Sequence, residues 1–221
     1  MSARVLSLNI GRAEPNAAKD VGVTGIGKRP VGSAILRAPG PKHGGLGSGL
    51  EGDFIGDVQH HGGDQQAVYA FAREELDWWG EHLGRPLADG LFGENLTTTG
   101  LDVDAALLGE RWAVGPEVVL EVCGPRIPCA TFQARMGEKG WVRRFTEVGR
   151  SGAYLSVVTG GTVRSGDPVE VVSRPDHDID VVAAFRAFTG DLDAARRVLD
   201  AGALGAEDAA ELREKVERRS R

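Results

Sequence analysis

The stretch Gly124-Pro125-Arg126-Ile127-Pro128-Cys129 sets one thiol beside one permanent cation, with a proline on either side of the pair Arg126-Ile127. Proline fixes its own φ and restricts the residue before it, so this segment has few backbone conformations to lose when it holds something. A guanidinium this close to a sulfur favours thiolate over thiol, and the thiolate is both a nucleophile and a metal ligand. Taken alone, the segment also suits the commoner fate of an isolated cysteine, that of a small buried hydrophobe.

Three further clusters carry chemical groups. In His60-His61-Gly62-Gly63-Asp64 the two histidines, if on a strand, point to opposite faces, so one at most serves a given pocket. The glycines matter more, because successive glycines expose N–H groups and let a ligand approach the main chain; a hairpin turn with solvated histidines has the same composition. In Gly93-Glu94-Asn95-Leu96-Thr97-Thr98-Thr99, Asn95 offers a donor and an acceptor, yet a glycine turn into a Thr-rich edge strand reads identically. Lys28 and Arg29, on the glycine-rich approach GIGKRP, suit a phosphate, although the Walker A spacing is absent and either cation singly reads as a solvated side chain.

Other templates fail. The chain has no GxSxG elbow, no HExxH and no CxxC, and a zinc hydrolase built on His43, His60 or His61 lacks ligand spacing.

The elements that must position these groups follow from periodicity and turn residues. Arg4 to Ile10 alternates as a half-buried strand, a loop follows to Gly27, and a strand resumes at Val31 to Leu36. Six glycines and two prolines in 38–52 predict an exposed, mobile loop. AVYAFA reads as a buried strand, and Leu76, Trp79 and Leu83 share a helical face over 73–83. Strands are expected at 111–114 and 117–122, with Val118, Leu120 and Val122 on one face, and a short helix carries Trp141, Phe145 and Val148. Ala153 to Val158 is a β-branched strand, Gly160-Gly161 a hairpin turn into 162–164, and 169–173 the last strand. After about residue 175 the glycines thin out and Ala, Leu, Arg and Asp dominate, which predicts two or three short helices as a separate extension, 176–221. Asp191, Asp193 and Glu207 lie near their starts, and Gly190, Gly202 and Gly205 near their stops. The class is mostly β with helices (α+β), and many short strands joined by turns point to a barrel in 1–175.

Composition bounds the function. A chain of 221 residues buries enough surface to need no covalent staples, and two cysteines do not make a disulfide framework. The N-terminus lacks the apolar core of a signal peptide, and no apolar run approaches the roughly 20 residues that span a bilayer, so a cytoplasmic protein with no membrane partner is expected. A net charge of -6 argues against duplex nucleic acid as a partner. Glycine, at 32 residues, is about twice its ordinary usage and marks many tight turns and close backbone approaches.

In this order, TGIGKRPV, LEGDFIGDVQHHGGDQQAVYAFAREELDWW, FGENLTTTGL, GPRIPC and GAYLSVVTGGTVRSGDPVEVVSR resemble the MOSC family, the molybdenum-cofactor sulfurase C-terminal domain, and within it the YiiM-like branch. The resemblance implies a MOSC-type β-barrel with a small C-terminal helical extension. It implies a pocket for the molybdenum cofactor, a molybdopterin, with Cys129 as the ligand to molybdenum. It further implies that Arg126 pairs with phosphate or polarises substrate, that Lys28 and Arg29 serve the pterin tail, that His61, Gly62 and Gly63 line the pocket, and that Asn95 hydrogen-bonds pterin or positions substrate. The implied activity is reduction of small N-hydroxylated compounds such as hydroxylamino bases by oxygen-atom transfer, with electrons from an external flavin or haem reductase. A non-redox carrier that holds cofactor, or sulfur as a persulfide, on Cys129 is the alternative. The helical extension is a candidate for making a homodimer, capping the pocket or recruiting the reductase.

Overall fold

The computed structural model describes residues 2–219. In chain order the strands and helices are β1 (Arg4–Ile10), β2 (Glu14–Pro15), β3 (Val23–Thr24), β4 (Arg29–Val31), β5 (Ser33–Leu36), β6 (Val68–Ala72), α1 (Arg73–Leu83), β7 (Leu96–Thr99), β8 (Arg111–Val114) and β9 (Val118–Pro125). They continue as α2 (Ala130–Met136), α3 (Trp141–Val148), β10 (Ala153–Thr159), β11 (Gly161–Arg164), β12 (Val169–Ser173), α4 (Val181–Thr189), α5 (Leu192–Asp200) and α6 (Ala206–Arg219). A 3-10 turn at Asp64–Gln66 precedes β6.

Eight strands form one sheet in the order β12-β8-β9-β10-β6-β7-β1-β4, antiparallel except for the parallel pair β6 and β7. The sheet coils until β1 meets the chain entering β12, at a bridge between Arg4 and Pro168 and through hydrogen bonds from the Val5 N–H to Asp167, Gly166 N–H to Val5 and Val169 N–H to Ala3. The fold is therefore α+β as expected, with a curled sheet that no continuous ladder closes into the expected barrel.

Strand β6 shows why its sequence is unbroken in hydrophobicity. Val68, Ala70 and Ala72 face the inside of the curl with Val5, Leu120 and Leu155, whereas Tyr69 and Phe71 face outward into a second core. A strand covered on both faces has no polar side to alternate with. The second core is aromatic. Trp79 from α1, Phe132 from α2, and Trp141 and Phe145 from α3 surround Phe92 at centroid separations of 5.0 to 6.5 Å, mostly edge to face, as ring quadrupoles prefer. Helix α1 carries the expected Leu76 and Trp79 on its buried side and stops at Gly84, whose φ of 66° suits the left-handed cap.

The C-terminal helices number three. Asp191 accepts from the N–H groups of Asp193 and Ala194 and so caps α5, and the glycine after α4, Gly190, ends that helix. Val181, Ala184, Val198 and Leu212 belong to the same buried cluster as the sheet, and Phe185 joins the aromatic core 6.4 Å from Phe145. Among the described residues no helix is long and apolar enough to cross a membrane.

Several local expectations are corrected. Gly160-Gly161 is no hairpin turn, because β11 pairs with β5 rather than with β10. A Cβ on Gly160 would lie 2.7 Å from the Leu36 carbonyl oxygen, so close strand approach, not turning, requires that glycine. The loop 38–52 is pinned rather than free: Arg37 N–H donates to Gly49, Gly49 N–H to Ala67 and Gly63 N–H to Gly47, and 47–50 are buried. Strand β7 is an interior strand between β6 and β1, with Thr97 and Thr98 fully buried, not an edge. His60 and His61 lie in a turn instead of a strand, and α2, unanticipated, begins immediately after Cys129.

Candidate functional site

Strand β9 ends at Pro125, three residues bridge to Cys129, and Cys129 is the N-cap of α2. That position places the sulfur at the start of a helix, where the Phe132 N–H favours negative charge. Burial works against ionisation of Cys129, but a hydrogen bond from His61, the charge of Arg126 and the Phe132 N–H prevail and bring the thiol down to about 6. At pH 7 the thiolate then outnumbers the thiol by about ten to one. Cys123, inside β9, goes the other way. Burial pushes it up to about 11.

Arg126 is 5% exposed and lies with its guanidinium 3.9 Å from the centre of the Phe132 ring. It donates to the Ile127 carbonyl at 3.2 Å, and among the described residues no carboxylate stands within ion-pairing distance of it. A cation so desolvated costs several kcal/mol unless an anion faces it. Here the anion that faces it is the Cys129 thiolate.

The other cations singled out from the sequence are already neutralised or lie elsewhere. Lys28 is buried and its Nζ lies 2.6 and 2.7 Å from the two carboxylate oxygens of Asp53. Asp53 also accepts from the Gly11 N–H, the Ser48 hydroxyl and the Asn95 amide, which makes it a hub joining β1, the glycine-rich loop and the segment before β7. Asn95 is correspondingly committed: its Nδ2 donates to Asp53 and to the Asn9 carbonyl, and its Oδ1 accepts from the Tyr69 N–H. Glu94 accepts from the N–H groups of Gly90 and Phe92 and from the Thr97 hydroxyl, and burial still pushes its carboxyl up to about 7. Arg29 is exposed on β4 and does not reach this pocket.

His61 is brought in by the turn 57–63. The Asp57 carbonyl accepts from the N–H groups of His60 and His61 at 3.2 and 2.9 Å. Burial would raise the Asp57 carboxyl, but hydrogen bonds from Lys19 and His60 hold it well below the usual carboxylate range. Gly62, at φ 85°, then folds the chain so tightly that a Cβ there would lie 2.7 Å from the Gly47 oxygen. Gly62 lines the pocket, while Gly63 supports it from behind by donating to Gly47.

Cys129 stands where two cavities meet. The inner one, about 90 Å³, is walled by Lys28, Asn95, Arg126 and the backbones of Gly25 and Gly56. The outer one, about 530 Å³, lies between the 57–66 segment, the 124–129 loop and the helical extension, which contributes Phe188 from α4 and Asp208 from α6. His61, Gln66, Tyr154 and Cys129 line both. The structure therefore gathers Lys28, His61, Gly62, Asn95, Arg126 and Cys129 around one sulfur, and leaves Arg29 and Gly63 outside the lining. Asp53, Asp57, Gln66 and Tyr154 were not singled out from sequence. The repeated Gly-Asp of GDFIGD is the one signal that marks the first two.

Comparison with known proteins adds a family. The MOSC domain model matches residues 57–170. The chain belongs to the MOSC domain family. This MOSC chain is 34% identical over 204 residues to the uncharacterized protein YflK of Bacillus subtilis, covering 90% of the chain and 88% of YflK. Over 118 residues it is 33% identical to a protein of Gibberella moniliformis named reductase, covering 52% of the chain but 21% of that larger protein. Its fold is that of YiiM from Geobacillus stearothermophilus, with a TM-score of 0.76, 23% identity and coverage of 97% and 99% of the two chains.

The site's donor set fits the cofactor associated with MOSC domains. Among the described residues no group of three or more His, Cys, Asp or Glu is placed to hold a metal ion. A soft, ionised thiolate beside a buried guanidinium that has no carboxylate partner is chemically compatible with a metal whose other ligands arrive on an anionic organic group. The outer cavity has the roughly 300–1,000 Å³ of an ordinary small-molecule site, and the inner one alone does not.

Proposed function

We propose that the protein is a molybdenum-cofactor-dependent reductase of small N-hydroxylated compounds, with Cys129 as the protein's ligand to the metal. The observation that carries this reading is the Cys129 thiol, lowered to about 6 and paired with buried, otherwise uncompensated Arg126 at the junction of two cavities. Membership of the MOSC family and the reductase name of a partial relative support it.

When bound, the cofactor supplies a two-electron redox centre, and the net reaction is R–NHOH + 2 H⁺ + 2 e⁻ → R–NH₂ + H₂O. Electrons come from an external flavin or haem reductase. Cys129 would hold the metal, and being largely ionised near neutral pH it would have little proton to release in doing so. Arg126 would face the anionic part of the group. His61 holds Cys129 in its ionised form and, with Tyr154, stands at the junction where protons must be supplied. Burial raises the Tyr154 phenol, which stays protonated and available as a hydrogen-bond donor. Lys28 and Asn95 act through Asp53 as builders of the inner wall rather than as free ligands.

The test is to express the parent and Cys129→Ala under cofactor-replete conditions and to measure molybdenum, pterin and N-hydroxylaminopurine reduction with an artificial electron donor. The expected result is molybdenum and turnover in the parent, with both lost in the variant. Equal metal content and equal turnover would refute the reading. A persulfide on Cys129 by intact mass, without turnover, would favour the carrier alternative.

A further inference from the structure

Gln66 has no part in the chemistry described so far, yet it is one of four residues that line both cavities. It ends the 3-10 turn Asp64–Gln66, held by its own N–H donating to Gly63 at 3.0 Å, so its backbone is fixed by the glycine pair that also positions His61. Its Oε1 is buried and accepts no hydrogen bond. An orphaned buried carbonyl costs about 1–3 kcal/mol and is ordinarily satisfied. The other four buried orphans among the described residues have simpler surroundings: the indole nitrogens of Trp79 and Trp141 sit in the aromatic core, Thr98 lies in an interior strand, and Glu75 Oε2 belongs to a carboxylate already paired with Arg150. Of these residues Gln66 alone lines a cavity beside the reactive sulfur, with its oxygen just beneath the lining.

We infer that Gln66 is a ligand-recognition residue whose amide oxygen accepts an N–H from a planar, amidine-like nitrogen group lying against Cys129. The inference rests on the reading given under Proposed function. Two sources carry that chemistry, the pterin ring of the cofactor and an aminopurine-type substrate. The conformation of Gln66 suits either, because it borders the inner and the outer cavity alike.

The experiment compares parent, Gln66→Leu and Gln66→Glu prepared with cofactor. It measures molybdenum and pterin content, the affinity for adenine by calorimetry, the KM and kcat for N-hydroxylaminopurine, and the urea midpoint of each apoprotein. Leucine is apolar and one carbon shorter, so Gln66→Leu removes an orphaned buried carbonyl at the cost of a small void and should fold about as stably as the parent. One lost neutral hydrogen bond corresponds to about a three- to tenfold weakening. If the substrate is read, adenine binding weakens and KM rises by that factor with molybdenum unchanged; if the pterin is read, cofactor content falls and adenine affinity per molybdenum is unchanged. Glutamate keeps an acceptor and should lose less than leucine in whichever measurement moves. The inference is overturned if both measurements stay within twofold of the parent in Gln66→Leu, or if its urea midpoint falls, which would make Gln66 a structural residue. A parent that neither holds molybdenum nor turns over overturns the proposed function and this inference together. A fully active parent with an indifferent Gln66→Leu overturns this inference alone.

Discussion

The charge state of Cys129 is the quantity on which the site turns, and Arg126→Met probes it. Methionine keeps an apolar stem over the Phe132 ring while deleting the guanidinium that now lies 3.9 Å from the ring centre. In the parent the thiol falls to about 6 although burial opposes the fall, so His61, Arg126 and the Phe132 N–H together outweigh the effect of burial. An opposite charge at close range is worth about 1–3 units, so Arg126→Met should raise the midpoint by about 1–2. At pH 6 the parent thiol is about half ionised and the variant about one-tenth or less, so alkylation of Cys129 by iodoacetamide should slow about fivefold or more. His61→Ala should raise the midpoint at least as far, since its hydrogen bond outranks the Arg126 charge. The assay is the rate of adduct formation on apoprotein as a function of pH, read at the Cys129 peptide so that Cys123 does not contribute. A midpoint in Arg126→Met within about 0.3 unit of the parent would show that the guanidinium does not set the thiolate, and the electrostatic account of the loop would be wrong.

Two further outcomes test the frame around the sulfur. Lys28→Met strands Asp53 as a buried uncompensated carboxylate and should cost about 3–5 kcal/mol in urea unfolding, part of which Asp53→Asn restores in the double variant; a loss below about 1 kcal/mol would mean that Lys28 is not the structural partner claimed. Asp104 accepts from the N–H groups of Ser151 and Gly152 through one oxygen, and burial pushes its carboxyl up to about 6. Because that value lies above the unfolded one, its contribution to stability is full below pH 4 and is lost as pH rises through about 6. The parent should therefore lose up to about 3 kcal/mol between pH 4 and 8 relative to Asp104→Asn, and parallel stability curves for the two would contradict the shift.

What the sequence disclosed followed from how local each signal is. Helices α1 and α3 show in the spacing of Leu76 and Trp79 and of Trp141 and Phe145, because one face of a short helix meets one core. Strand β6 shows because both its faces are covered. Gly160 misleads for a non-local reason, since only the crossing of β5 explains a residue without a Cβ. Helix α2 is silent because a cysteine, not Ser, Thr, Asp or Asn, occupies its cap, which is the same fact that makes the cysteine reactive. At the site, the thiol, the guanidinium and the HGG turn are legible as types and neighbours. Asp53 and Gln66 are not, since their meaning lies in partners: Asp53 meets Lys28 from 25 residues away, and Gln66 matters for having none.

The two cysteines make the closing argument. They stand six positions apart, and their thiols move in opposite directions, to about 11 for Cys123 and about 6 for Cys129. Burial raises both. The difference is that β9 keeps Cys123 within a sheet whose backbone groups are already paired, whereas the rigid Pro125-to-Pro128 segment leaves the sheet and delivers Cys129 to the start of a helix, to His61 and to Arg126. The reach of that charge depends in turn on what the other cations do. Lys28 is bound to Asp53, so of the lysine and arginine side chains that line the inner cavity Arg126 is the one whose charge is directed at the sulfur. A carboxylate placed near Arg126 would remove that direction without altering any motif. Introducing Glu at Thr131, which lines the inner cavity, is thus expected to raise the Cys129 midpoint while leaving the loop and its prolines intact. The alkylation profile described above measures this too, and an unmoved midpoint would mean that the loop's conformation rather than its charge keeps the thiol ionised.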